Sequence, residues 1–151
     1  MNNRPSKDEY YINIAKAVLE RSTCIRRKYG AVLVKDDEII ATGYNGAPRG
    51  EVNCCDLEYC EREKQNVPKG ERYELCVSVH AEDNAITSAS RSKANGSTLY
   101  IAGLEVANGE YANPCPCTMC RRKIVNAGVK RVVGIFNDGV IKDINVSLQQ
   151  Q

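Results

Sequence analysis

An α/β plan, a mixed sheet of about five strands with helices on its faces, follows from three observations on this chain of 151 residues. Apolar residues first recur at helical spacing, then give way to two β-branched runs separated by the polar stretch KDDE. Two later helical segments open directly after a distinctive residue, a histidine in one and a cysteine that follows proline in the other. A β-branched run follows each of those helices, so strands and helices alternate.

The first helix is predicted over about Ser6 to Ser22. Ser6 followed three residues later by Glu9 is a capping box, and Tyr10, Ile14, Ala17, Val18 and Arg21 then recur at helical spacing. YGAVLVKDDEIIATGYN reads as an antiparallel hairpin across a polar turn. From about residue 47 to 76 the composition turns to Gly, Pro, Cys and charge, which predicts a long irregular insertion that needs something to hold it. AEDNAITSASRS, after His80, supports a second helix with Ala81, Ala85, Ile86 and Ala89 inward and Gly96 closing it. STLYIAG is a buried strand. Pro114 and Pro116 precede CTMCRRKIVNAG, a third helix whose inner positions are Met119, Ile124 and Ala127 and which ends at Gly128. VKRVVGIF is a fourth strand and GVIKDINVS a fifth. A short glutamine tail is the one low-complexity tract, and no internal repeat is visible.

A chain of this length fits one domain, residues 1–151, with enough apolar surface for its own core. Apolar residues at 42% and charged residues at 26% exclude a disordered chain. With 21 basic against 19 acidic residues and no block of one sign, a large nucleic-acid footprint is not expected. GAVLV and VVGIF are too short to cross a bilayer, and MNNRPSKDEYY lacks the apolar stretch of a secretory signal, so the expected location is the cytoplasm. Eight cysteines in such a compartment read as thiolates for metal or chemistry rather than as disulfides.

Cys117 and Cys120 stand at i and i+3 where a helix begins, so both sulfurs can face one ion. Zinc takes Cys and His ligands tetrahedrally, and three protein ligands leave a fourth position for water. His80, the one histidine in the chain, is the natural third ligand. Two thiolates cancel the charge of the dication, and the positive ends of two helices favour thiolate further. Glu82 is what a purely structural site would not need: at the start of its helix it can reach the open position and carry a proton. A structural knuckle would leave Glu82 unexplained, and a redox CxxC would account for neither His80 nor Glu82.

The chain at this point resembles the zinc-dependent cytidine/deoxycytidylate deaminase superfamily, whose known signature is H-x-E followed by P-C-x-x-C. Here that signature is His80-Ala81-Glu82 and Pro116-Cys117-Thr118-Met119-Cys120. Within the superfamily it is similar to the dCMP deaminases, viral (phage) members included, through RSTCIRRKYGAVLVKDDEIIATGYNGAPRG, VNCCD, HAEDNAI and PCTMCRRKIVNAGVKRVV. The particular feature is Tyr-Asn-Gly-x-Pro from Tyr44 to Pro48. The resemblance implies a cytidine-deaminase-like three-layer α/β/α fold and a hydrolase that converts dCMP and water to dUMP and ammonia, supplying dUMP for dTMP synthesis. It implies that Glu82 moves protons to N3 and the leaving amine, that Asn45 holds the sugar or base, and that Ala81 offers its backbone amide to the pyrimidine edge. Arg26, Arg27, Arg49 and Arg91 are candidates for the 5′-phosphate, each reading equally as a solvated surface cation. The resemblance further implies a homohexamer in the cytoplasm (the host cytoplasm for a viral chain), activated by dCTP and inhibited by dTTP with Mg2+ at the triphosphate.

Two features depart from the family pattern. GLEVANGEYAN, within residues 103–113, intervenes before Pro-Cys, with Tyr111 expected in the pocket wall, and Cys115 is an extra cysteine in PCPCTMC. Some viral relatives hold the insertion with a second, structural zinc, and Cys24 and Cys54 match ligand positions there. The set expected here is Cys24, Cys54, Cys60 and Cys76, with Cys55 as the substitute for Cys54, against the alternative of buried free cysteines. Three functional alternatives stay open: another cytidine or adenosine substrate, a non-catalytic zinc scaffold, and a deaminase that has lost its regulation.

Overall fold

The computed structural model describes residues 3–148, so the glutamine tail lies outside the described residues. Ser6 caps the first helix, α1 (Lys7–Leu19): its hydroxyl accepts the Glu9 N–H at 3.1 Å, and the Glu9 carboxylate accepts the Ser6 N–H at 2.9 Å. The helix stops three residues short of Ser22 and turns Tyr11, Ile12, Ala15 and Leu19 inward, leaving Tyr10 exposed. Of the residues that sequence spacing singled out, Ile14 and Val18 pack partly against this core, while the fully buried register is the neighbouring one.

β1 (Arg27–Lys35) and β2 (Glu38–Tyr44) pair antiparallel around Asp36 and Asp37. Both turn residues have positive φ, 52° and 61°, as a two-residue hairpin turn requires and as Asp tolerates. The insertion contains two single-turn helices, α2 (Cys54–Leu57) and α3 (Glu61–Lys64), and a 3-10 turn at Tyr73–Leu75. The second predicted helix is two: α4 (Ala81–Ala89) and α5 (Arg91–Ala94), broken at Ser90, whose φ of 73° no α-helix accommodates. β3 (Thr98–Glu105) pairs antiparallel with β1, and α6 (Thr118–Asn126) leads to β4 (Arg131–Ile135), parallel to β3. β5 (Ile141–Asp143) closes the order β2-β1-β3-β4-β5.

The sheet is a middle layer. α1 covers one face, where Tyr11, Ile12 and Ala15 meet Val32, Tyr100 and Val133. α4 and α6 cover the other, where Ala81, Ala85 and Ile124 meet Ala31, Leu33 and Ile101. Successive residues of β1 feed opposite cores, as period-two side chains must. On α6 the buried positions are Cys120, Ile124 and Ala127, while Met119 is 42% exposed: one residue's rotation moves it off the inner face and puts Cys120 on it. No described helix is long and apolar enough to cross a membrane.

Gly43 fixes how closely α4 lies on the hairpin. A Cβ there would meet the Ala81 carbonyl oxygen and the Ala85 nitrogen, each at 2.5 Å. Only a glycine lets β2 pass under the first turn of α4, the turn that holds Ala81 and Glu82.

Candidate metal centre and the cavity around it

His80 is the N-cap residue of α4 and Cys117 that of α6, and neither side chain caps its helix. Those positions ordinarily go to Ser, Thr, Asp or Asn; here they hold potential ligands at the positive ends of two helices. Cys120, one turn into α6, is buried. His80 Nδ1 lies 3.5 Å from Cys117 Sγ and 3.3 Å from Cys120 Sγ, and the three donor atoms are mutually within 4.8 Å. Tetrahedral zinc with Zn–S of about 2.3 Å and Zn–N of about 2.0 Å sets nitrogen and sulfur about 3.5 Å apart, so these residues fit that ion. Among the described residues no other group of three His, Cys, Asp or Glu comes together in this way.

Protonation favours the same assignment. The Cys117 thiol is lowered to about 4, first by the hydrogen bond it receives from Cys120 and then by His80. Cys120 is pushed up because it keeps the proton the two sulfurs share. A dication takes the place of such protons, which makes affinity pH-dependent.

Glu82, second residue of α4, is 6% exposed and lines a cavity of about 520 Å³ together with His80, Ala81 and Cys117. Burial raises its carboxyl above the usual range, opposed by its own backbone N–H and by His80. Ala81 is fully buried, and as the first residue of α4 its N–H has no partner within the helix.

The Asn45 amide is held from three sides: Ser22 Oγ and the Tyr29 N–H, at 2.8 Å, donate to Oδ1, and Nδ2 donates to the Arg27 carbonyl at 2.9 Å. One N–H of the amide is left over at the cavity wall. A β-bridge ties this loop to the segment entering α4, with the Gly46 N–H donating to the Val79 carbonyl at 3.1 Å and the reverse bond at 2.7 Å. Asn84 donates to the Tyr44 carbonyl at 2.8 Å, and an ion pair of Lys123 with Asp83 joins α6 to α4. The asparagine loop and the two helix starts are therefore one connected unit.

Arg26 and Arg27 line the cavity; Arg49 and Arg91 do not. Tyr111 is not in its wall either. The extra residues after β3 return as a turn in which Tyr111 bridges Leu104, and its ring sits under Lys16 on the α1 side of the sheet. Asn113 through Met119 form the wall instead, anchored by the Tyr29 hydroxyl donating to the Asn113 carbonyl at 2.8 Å. Cys115 sits exposed in that wall, outside the ligand set.

Cys24, Cys60 and Cys76 line the cavity, and Cys54 is buried beside them: burial first, then Cys24, Cys76 and Cys60, push its thiol up. The four are neighbours, yet no three of their sulfurs approach one another as the His80 set does. Cys55 faces solvent. The insertion is held by a residue that sequence spacing did not single out. Arg62 is 5% exposed; its Nε donates to the Glu71 carbonyl at 3.0 Å, its Nη2 to the Pro68 carbonyl at 3.1 Å, and its guanidinium stacks 4.5 Å from the Tyr73 ring centre. In CEREK it reads as one more solvated charge, and nothing local marks it as buried.

Residues 5–135 match the family model described as the cytidine and deoxycytidylate deaminase zinc-binding region. The chain is 40% identical over 135 residues to the deoxycytidylate deaminase of Mycobacterium phage D29, covering 86% of this chain and 94% of the phage protein. It is 37% identical over 130 residues to that of Schizosaccharomyces pombe, covering 86% of this chain and 37% of the yeast protein's length. Among solved structures it is similar to the dCMP deaminase of cyanophage S-TIM5 in complex with dCMP and dUMP, with a TM-score of 0.61, 30% identity, and 88% and 83% of the two chains covered. With the match running from α1 through β4, the chain belongs to the cytidine and deoxycytidylate deaminase zinc-binding family.

Proposed function

We propose that this chain hydrolyses dCMP to dUMP, releasing ammonia. The observation that carries the reading is the buried Glu82 carboxyl lining one cavity with His80 and Cys117, which cluster with Cys120. It is supported by the similarity to the phage and yeast deoxycytidylate deaminases and by the nucleotides in the cyanophage complex. Zinc held by the three donors supplies Lewis-acid activation of a water. The rest belongs to the chain. The Ala81 N–H orients the pyrimidine edge, and the remaining N–H of Asn45 reaches the sugar. Glu82 takes one proton from the attacking water and delivers it to ring nitrogen N3, then takes the second from the oxygen now bonded to C4 and gives it to the amine as the C4–N bond breaks, so one carboxyl serves both ends of the exchange of NH2 for oxygen.

Regulation by dCTP and by dTTP with Mg2+, assembly as a homohexamer, cytoplasmic location and the place in dTMP supply rest on the family resemblance and belong to the same proposal. The test is turnover of dCMP, deoxycytidine, CMP and an adenosine-containing RNA stem-loop by purified, zinc-loaded protein. Preferred turnover of dCMP is the expected result, and preference for any of the others overturns it. Rate curves in dCMP with and without dCTP, or dTTP plus Mg2+, decide the regulatory part: identical curves remove it. A second zinc on Cys24, Cys54, Cys60 and Cys76 is kept as a proposal on the strength of their proximity at Cys54; metal analysis finding one zinc per chain ends it.

A further inference from the structure

Three guanidinium groups line the cavity, and their surroundings differ. Arg26 has Glu63 at 3.3 Å and Arg27 has Glu105 at 2.8 Å, so each already carries a countercharge. Arg62 has none: among the described residues no carboxylate lies within 4.0 Å of it, although it is the most buried of the three. Its two carbonyl partners and the Tyr73 ring supply dipoles and a quadrupole but no negative charge. Two of its five N–H groups are used by the carbonyls, which leaves three. A buried cation without a counter-ion is costly, and the cost is relieved when an anion enters the cavity it lines. The carbonyl bonds fix the planar fork in advance, so little side-chain freedom is lost when it closes on an anion.

Its place relative to the metal donors is also defined. The guanidinium carbon lies 4.5 Å from the Tyr73 ring centre, and the Tyr73 ring meets the His80 ring edge-on at 5.3 Å. Tyr73 thus touches both groups, so Arg62 and the imidazole are neighbours of one ring in the same cavity. Lys69, exposed at the same cavity and without an ion-pair partner among the described residues, adds a second positive charge.

We infer that Arg62, assisted by Lys69, is the specificity-determining residue that anchors the 5′-phosphate, so that the insertion is what makes the site prefer a nucleotide to a nucleoside. This rests on the deaminase reading above. It replaces the phosphate candidates the sequence offers, of which two lie outside the cavity and two are already paired. The experiment compares wild type, R62M and R62K, each zinc-loaded, by kcat/KM on dCMP and deoxycytidine and by calorimetric Kd for dUMP and deoxyuridine. In R62M the dCMP to deoxycytidine ratio, and the matching ratio of affinities, fall by about 10- to 100-fold, the range for losing charge-assisted hydrogen bonds to an anion. R62K, a point charge without the fork, falls in between. Ratios that stay at the wild-type value, whether both members decline together or neither changes, overturn the inference and leave Arg62 as a clamp on the insertion. If R62M does not fold, R62K decides by the same ratios. Wild type that does not turn over dCMP defeats the functional reading itself, a result separate from a wild-type preference that R62M leaves intact.

Discussion

Replacing Glu82 by Gln separates proton transfer from metal binding, because the two side chains share shape and differ in the ability to take up a proton. No described hydrogen bond from another residue ends on the Glu82 carboxylate, and the side chain is 6% exposed. The amide therefore strands no partner, and it removes an ionisable group from a poorly solvated position. The expected result is a thermal midpoint equal to or above that of wild type and an unchanged zinc content. Activity moves the other way. A positioned acid/base contributes about 10²- to 10⁴-fold, and water from bulk cannot replace one that is buried, so kcat falls at least about a hundredfold, or about 2.7 kcal/mol on the barrier. The assay follows conversion of cytosine to uracil absorbance, with metal analysis and a thermal melt on the same preparation. Turnover within about tenfold of wild type, with zinc and fold retained, would falsify the assignment of Glu82 as proton carrier. Loss of zinc would instead make Glu82 a support for the ligands.

Two further outcomes test the scaffold. Gly43→Ala drives a methyl group into the Ala81 carbonyl and the Ala85 nitrogen, both backbone, so α4 has to move; the expected cost is about 1–3 kcal/mol, read by denaturant melts. Because His80 and Glu82 ride on that turn, kcat drops as well, and a variant that keeps both stability and kcat refutes the role given to this contact. At the other side of the sheet, the Arg131 guanidinium beside Asp8 holds its carboxyl below the ordinary value, helped by the Tyr100 hydroxyl. A depressed carboxyl contributes stability that is present above its unfolded pKa and lost as pH falls through the folded one. The gap in thermal midpoint between wild type and Asp8→Asn is therefore widest near neutrality and closes below about pH 4. With both partners about one-third exposed, the gap corresponds to about 1 kcal/mol, and a gap that does not shrink in acid removes the ion pair as its source.

What was legible in the sequence and what was not divide along a physical line. The capping box and the hairpin with its two aspartates announced themselves through local chemistry, each within a few residues, and formed as spaced; the later strands formed too, the fifth only over Ile141–Asp143 of GVIKDINVS. The cluster of His80, Cys117 and Cys120 was legible for a related reason: ligand geometry asks for Cys117 and Cys120 on one helical turn, and a single histidine leaves no competing choice. Where an outcome depends on rotation about a helix axis, spacing alone was insufficient. Tyr10 and Tyr11 are both apolar enough to face inward, as are Met119 and Cys120, and the sheet decides between neighbours about 100° apart. The residues after β3 show the same dependence, since Tyr111 was expected in the cavity wall and the bridge to Leu104 carries it to the other side of the sheet.

The insertion was opaque for a different reason. Its cysteines drew attention because unpaired thiols have few roles besides metal binding and chemistry, whereas an arginine among EREK carries no such restriction. Burial of Arg62 is created by the loop that wraps it: Pro68 and Glu71 supply the carbonyls that the guanidinium needs, and the guanidinium supplies the donors without which that loop would have nothing to close on. The partners lie six and nine residues further on, so the pairing leaves no local pattern around Arg62. The same reciprocity links the insertion to the chemistry. Tyr73 touches Arg62 on one side and His80 on the other, so a change that loosens the loop also frees the ring that steadies a metal ligand. Substrate selection by Arg62, as inferred above, would therefore share Tyr73 with the His80 side of the proposed metal centre, which is why the ratio of nucleotide to nucleoside turnover, rather than activity alone, reports on the loop.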